Sequence, residues 1–144
     1  MRILVAYDGT DGANAALTAA ANVAKASSAD VVVLHVLNPL IDAADVVAPT
    51  THDAMVTVAA RARAALEARV AVLGLQADVR IEQLTHGEDA WEHIVHVAQD
   101  VDANMIAIGS RRAGGLTGAI LGSVVRAVVQ HSPCPVLVVR PDND

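Results

Sequence analysis

Ala107-Ile108-Gly109-Ser110-Arg111-Arg112-Ala113-Gly114-Gly115-Leu116-Thr117-Gly118-Ala119-Ile120-Leu121-Gly122-Ser123-Val124 carries the chain from a buried strand, through a glycine-rich loop, into an apolar-periodic helix. The strand is the apolar run Met105 to Ile108, and five glycines fall between positions 109 and 122. Glycine has no Cβ, so the main chain can pass close to a ligand there. Ser123 stands where a helix N-cap belongs, with unpaired amides just behind it. Such a helix start, at the positive end of the macrodipole, suits an anion. Arg111 and Arg112 add charge that matches phosphate. The competing reading is a connector with an ordinary cap.

Outward from this stretch the same alternation recurs. Ile3 to Tyr7 and Val31 to Leu37 are short continuous apolar runs, the pattern of strands buried on both faces. Between them Asp8-Gly9-Thr10-Asp11-Gly12 breaks the chain, and Asp11 or Thr10 can cap the following helix. From Ala13 to Ser28, Asn14, Thr18 and Asn22 mark a polar face, and Leu17, Ala20 and Ala24 mark an apolar one. Leu40 to Thr50 has no period and reads as an excursion or lid. A long helix is expected from about Thr51 to Leu73, with Met55, Val58, Ala62, Leu66, Val70 and Leu73 on one face and Gly74 as its C-cap. Val79 to Glu82 alternates, as a half-exposed strand near a sheet edge does. Glu88 to Gln99 reads as helix with Trp91, Ile94, Val95 and Ala98 inward. Ser123 to His131 is a further helix burying Val124, Val125 and Val128, and Val136 to Val139 is the fifth strand.

Five strands alternating with four helices predict an open parallel α/β sheet in a single domain spanning residues 1–144. Ligands of such sheets sit beyond the carboxyl ends of the strands at the switch point. Only the first and fourth strands lead into loops with the chemistry of a site.

Composition narrows the partners. The formal charge is −6 and Lys25 is the single lysine, which disfavours a nucleic-acid polymer. No apolar run is long enough to span a membrane, and the N-terminus shows no leader pattern, so a cytoplasmic location without a membrane partner is expected. Cys134 is the one cysteine and reads as a small packing residue between Pro133 and Pro135.

No catalytic set can be assembled. The Walker loop requires a Lys before Ser or Thr, and Gly118 to Ser123 has none. Asp8 can accept from a ribose hydroxyl or an adenine amino group, or bond the amides of its own turn. His93 and His96 are three apart on a helix, but no third metal ligand is fixed, and Glu92, His96 and Gln99 read as a solvated face. His35 reads as a core histidine. Ser110 and Ser123 lack an evident base.

Taken whole, the chain resembles the universal stress protein family from Ile3 to Arg140. The likeness is carried by Ile3-Leu4-Val5-Ala6-Tyr7-Asp8-Gly9-Thr10, His35-Val36, Gly109-Ser110-Arg111, Leu121-Gly122-Ser123-Val124 and Pro133-Cys134-Pro135-Val136-Leu137-Val138-Val139. The resemblance implies strand order 3-2-1-4-5, with helices on both faces, as in adenine nucleotide alpha hydrolase-like folds. It also implies an ATP site, with Mg²⁺, on the family's pattern of Gly, two residues, Gly, nine residues, then Gly-Ser or Gly-Thr. By position these are Gly109 and Gly122-Ser123, with Arg112 at the middle glycine. The residues it implies at the nucleotide are Ala6, Tyr7, Asp8, Val36, Ile108, Gly109, Arg111, Arg112, Gly122, Ser123 and Val124. An Arg at a position needing positive φ costs about 1–2 kcal/mol; in ordinary backbone Arg112 turns outward or clamps phosphate itself.

The family commonly dimerises through its fifth strand, which implies a homodimer through Val136 to Val139. Three functions follow as expectations. The first is a stress-response module binding ATP or a related adenine nucleotide. The second is a nucleotide-free dimeric interaction protein. The third, slow ATP hydrolysis, lacks any base or metal-binding acid beyond Asp8.

Overall fold

A computed structural model describes residues 1–39, 51–111 and 121–142. Leu40 to Thr50 and Arg112 to Ile120, including the middle-glycine position, lie outside the described residues. The elements are β1 (Arg2–Tyr7), α1 (Asp11–Ser27), β2 (Asp30–Leu37), α2 (Thr51–Val72), β3 (Ala77–Gln83), α3 (Ala90–Asp100), β4 (Met105–Gly109), α4 (Ser123–His131) and β5 (Val136–Val139).

The strands form one parallel sheet in the order β3-β2-β1-β4-β5, the order implied by the resemblance. Val5 lies between Val33 of β2 and Ala107 of β4, so β1 is central and buried on both faces. Side chains alternate across the sheet. Leu4, Ala6, Leu34, Ile106 and Ile108 face α3 and α4, where Ile94, Val97, Val125 and Val128 meet them. Ile3, Val5, Val33 and Ala107 face α1 and α2, where Leu17, Ala20, Leu66 and Val70 meet them. Apart from Leu17, every buried residue of α1 is alanine or glycine. Trp91 of α3 stacks on His131 of α4 with ring centroids 4.5 Å apart and planes 22° from parallel.

Three helices end alike. After α2, Gly74 takes φ +61°, its amide donates to Ala71 O, and the Leu75 amide donates to Val70 O. This is the Schellman arrangement, which satisfies carbonyls that the helix end leaves open. Ser28 and Asp102 fill the same left-handed position after α1 and α3 at φ 54° and 52° without being glycine. There the following amides, Ala29 and Ala103, donate to Ala24 O and Ala98 O.

Two helix starts differ from expectation. α3 begins at Ala90 rather than Glu88. The Glu88 carboxylate instead accepts from the Thr85 amide and closes the preceding turn. On the inward face of α3, Val97 is fully buried and Val95 only partly. In α4 the N-cap is Gly122, not Ser123. Gly122 has the extended ψ of 159° that a cap requires, and Ser123 is already the first helical residue. Val124 is half-buried rather than core.

Candidate nucleotide cleft

β1 continues into α1 on one face of the sheet, and β4 continues into α4 on the other. The two chains diverge at the carboxyl ends of adjacent strands, and a crevice opens between them. A cavity of about 130 Å³ lies there. Ten of the eleven implied residues are described, and all ten border it: Ala6, Tyr7, Asp8, Val36, Ile108, Gly109, Arg111, Gly122, Ser123 and Val124. Arg112 lies outside the described residues.

The cleft has an apolar end and a polar end. Ala6, Leu34, Val36, Ile94 and Ile108 form the apolar part on the α3–α4 face. Tyr7 borders it by its main chain. Its ring alternates to the other face, where Oη donates to Asn14 Oδ1 at 2.8 Å and the ring meets His35 edge-on at 5.7 Å. Burial pushes the Tyr7 hydroxyl up from its ordinary pKa, against the lowering influence of Arg69.

At the polar end, Asp8 Oδ1 accepts from the Thr10 amide at 3.1 Å and from the Thr10 hydroxyl at 2.6 Å. The Asx reading of Asp8 is therefore realised, and Thr10 in turn caps α1 by accepting from the Ala13 amide. Opposite stands the start of α4. Among the described residues no side chain caps it, and no acidic residue lies in its first turn. A Cβ built on Gly122 would meet only Arg111 Nε, at 4.0 Å. An arginine thus stands at the positive end of a helix dipole, an unfavourable arrangement that an anion between them would reverse.

The two glycines flanking the loop have different reasons. Among the described residues a Cβ on Gly122 would meet nothing nearer than Arg111 Nε, so their packing does not require glycine there. A Cβ on Gly109 would lie 2.1 Å from the Gly12 carbonyl carbon and 2.5 Å from the Ala13 amide nitrogen. Gly109 is bare because α1 begins against it, not because a ligand approaches on that side.

Thr10, Ala13, Leu34, Ala90, Ile94, Ser110 and Val125 also border the cleft. Strand alternation carries one of them, Leu34, which shares a face with Val36; Ser110 is the residue just past β4. A larger, shallower hollow of about 520 Å³ lies at the opposite end of the sheet. Its charges are already engaged, Arg2 with Asp30 and Val101 O, and Arg80 with Asp78. Among the described residues no group of three or more His, Cys, Asp or Glu is arranged to hold a metal ion.

The family model for universal stress proteins matches residues 1–140. The chain belongs to the universal stress protein family. It is 33% identical over 138 residues to a universal stress protein of Thermus aquaticus, covering 96% of this chain and 97% of that one. Universal stress protein UspA from Lactobacillus plantarum superimposes with a TM-score of 0.76 at 25% identity, over 97% of both chains. A universal stress protein from Archaeoglobus fulgidus, solved in complex with dAMP, superimposes with a TM-score of 0.62 at 26% identity, over 96% of this chain and 97% of that one. Nucleotide complexes thus occur among solved universal stress proteins similar to this chain.

Proposed function

We propose that this universal stress protein binds an adenine nucleotide in the cleft between β1 and β4. Its base would lie on Ala6, Val36 and Ile108, and its phosphates between Arg111 and the start of α4. The observation that carries the reading is the pairing of Arg111 with an uncapped helix N-terminus. The dAMP complex of the Archaeoglobus relative supports the ligand class. The residues present fit a triphosphate's charge. Asp8 is the one carboxylate bordering the cleft among the described residues, and one of its oxygens is committed to Thr10. Mg²⁺ would therefore arrive with ATP, held chiefly by phosphate oxygens. In this reading the module acts by binding, as a dimeric cytoplasmic regulator of the stress response.

The closing of Asp8 onto Thr10, and Arg112 at the family's middle glycine, favour a second reading: a nucleotide-free interaction protein of the same fold. Calorimetry with AMP, and with ATP and Mg²⁺, separates the two. Binding that weakens about tenfold or more in Arg111→Gln, as for loss of a charged hydrogen bond, is expected. No heat from the wild type at millimolar nucleotide would leave the second reading.

A further inference from the structure

Ser110 is 6% exposed, and its Oγ is buried without a hydrogen-bond partner. A hydroxyl in that state destabilises the fold that holds it, and native proteins rarely keep one. Its main chain is pinned on both sides. The Ser110 amide donates to Val139 O at 2.8 Å, and its carbonyl oxygen lies against Gly12, where a Cβ would come within 2.4 Å. The main chain is thus held in place on both sides.

The direction of the side chain follows from the strand. Ile106 and Ile108 lie on the α3–α4 face, and Ala107 on the other. Gly109 meets α1, so Ser110 returns to the face of Ile108 and borders the cleft. Two extended residues advance the chain by about 6.6 Å. That places the hydroxyl beyond the base-binding Ile108 and before Arg111 and Gly122. The Arg111 guanidinium and the α4 amides border the same cleft as donors, while Asp8 and Thr10 stand at its polar end. A phosphate held between Arg111 and the start of α4 is an acceptor, so the hydroxyl has a proton to give it.

We propose that the Ser110 hydroxyl donates a hydrogen bond to the phosphate nearest the nucleoside of the bound nucleotide, an inference that rests on the nucleotide reading above. The unpaired hydroxyl is then a donor held in place before the ligand arrives, so little ordering is needed on binding.

Ser110→Ala tests this with two readouts that move in opposite directions. The ligand-free variant should melt about 2–4 °C higher, because it loses an unpaired buried hydroxyl. Its affinity for AMP and for ATP should fall by the same factor, about tenfold to a hundredfold, as for a hydrogen bond to a charged group. Its affinity for adenosine should not change; should adenosine bind too weakly to measure, the comparison of AMP with ATP decides. A fall for ATP alone, an equal fall for adenosine, or a lower melting point in the ligand-free variant would overturn the assignment. Unchanged affinities beside a wild type that binds would overturn it and leave the nucleotide reading standing. A wild type that binds none of the three removes both.

Discussion

Gly109 at the end of β4 and Gly12 in the first turn of α1 meet main chain to main chain, so closely that a Cβ on Gly109 would fall 2.1 Å from the Gly12 carbonyl carbon. The start of α1 is thereby seated on the strand that carries the loop, and the floor of the cleft is fixed by backbone rather than by side chains. Gly109→Ala should destabilise the fold by about 1–3 kcal/mol or more, because neither neighbour is a flexible side-chain end. Urea unfolding monitored by circular dichroism gives the number. A variant as stable as the wild type would show that α1 can lift from β4 at no cost.

Gly122→Val should behave in the opposite way. The backbone there, at φ −59° and ψ 159°, is open to valine, and among the described residues a Cβ meets nothing nearer than Arg111 Nε at 4.0 Å. The melting point should stay close to wild type, while nucleotide affinity falls at least about tenfold, equivalent to about 1.4 kcal/mol, as the added side chain fills the phosphate position. Calorimetry beside thermal unfolding separates the effects; retained affinity would move the phosphates away from α4.

His93 links α3 to the edge strand and to the turn before the helix. Its Nδ1 lies 2.9 Å from Glu82 Oε2 and its Nε2 3.0 Å from Glu88 Oε2. The bond to Glu82 raises the His93 pKa above 6.5, against the lowering effect of burial and with further help from Glu88. The bond from His93, with those from Thr85, holds the Glu88 carboxyl down to about 2 from its ordinary 4.5. On the histidine side the stabilisation is complete below pH 6.5 and is lost as pH rises through the raised value. On the Glu88 side it is complete above pH 4.5 and is lost as pH falls toward 2. The clamp is therefore strongest between these limits. His93→Gln should lower the melting point at about pH 5.5 and have much less effect at about pH 9. An equal loss at both would mean that packing, not charge, is what His93 supplies.

β5 pairs only with β4 among the described strands. Pro135 O and Val139 O accept from the amides of Ile106 on β4 and of Ser110 just past it, so the amides of Val136 and Val138 point to the open edge by the period of two. Val138→Pro removes an outward donor and leaves the intrachain ladder intact. If two copies pair along this edge, the variant should shift sedimentation from dimer toward monomer without loss of secondary structure. A wild type that sediments as monomer at micromolar concentration would remove the dimer.

The elements were legible because β1, β2 and β4 are mainly apolar runs, interrupted within β2 by His35, and α1 keeps a clean four-residue polar repeat. Strand order was not: periodicity says nothing of neighbours, and the order came from the resemblance. Helix starts were missed where a local side-chain bond outweighs propensity. Glu88 suits a helix, but Gly87 before it sits at φ +86° and its carboxylate turns back to Thr85. At Ser123 residue type pointed to a cap, whereas the backbone angle at Gly122 decides it. In the cleft, the residues at strand ends came from the resemblance, and those that are described border the cavity. The role of Gly12 was not foreseen, because a contact between two helix and strand ends far apart in sequence leaves no local pattern.

The stack of Trp91 on His131 has a use in solution. The chain has one tryptophan, one tyrosine and no phenylalanine, so its long-wavelength emission comes from a single indole. That indole sits on α3, and its neighbour is the last residue of the helix whose first turn borders the cleft. Any rotation of α4 on α3 changes the ring overlap and with it the quenching of the indole. The protein thus carries a built-in optical gauge of α4, readable by steady-state fluorescence without a label.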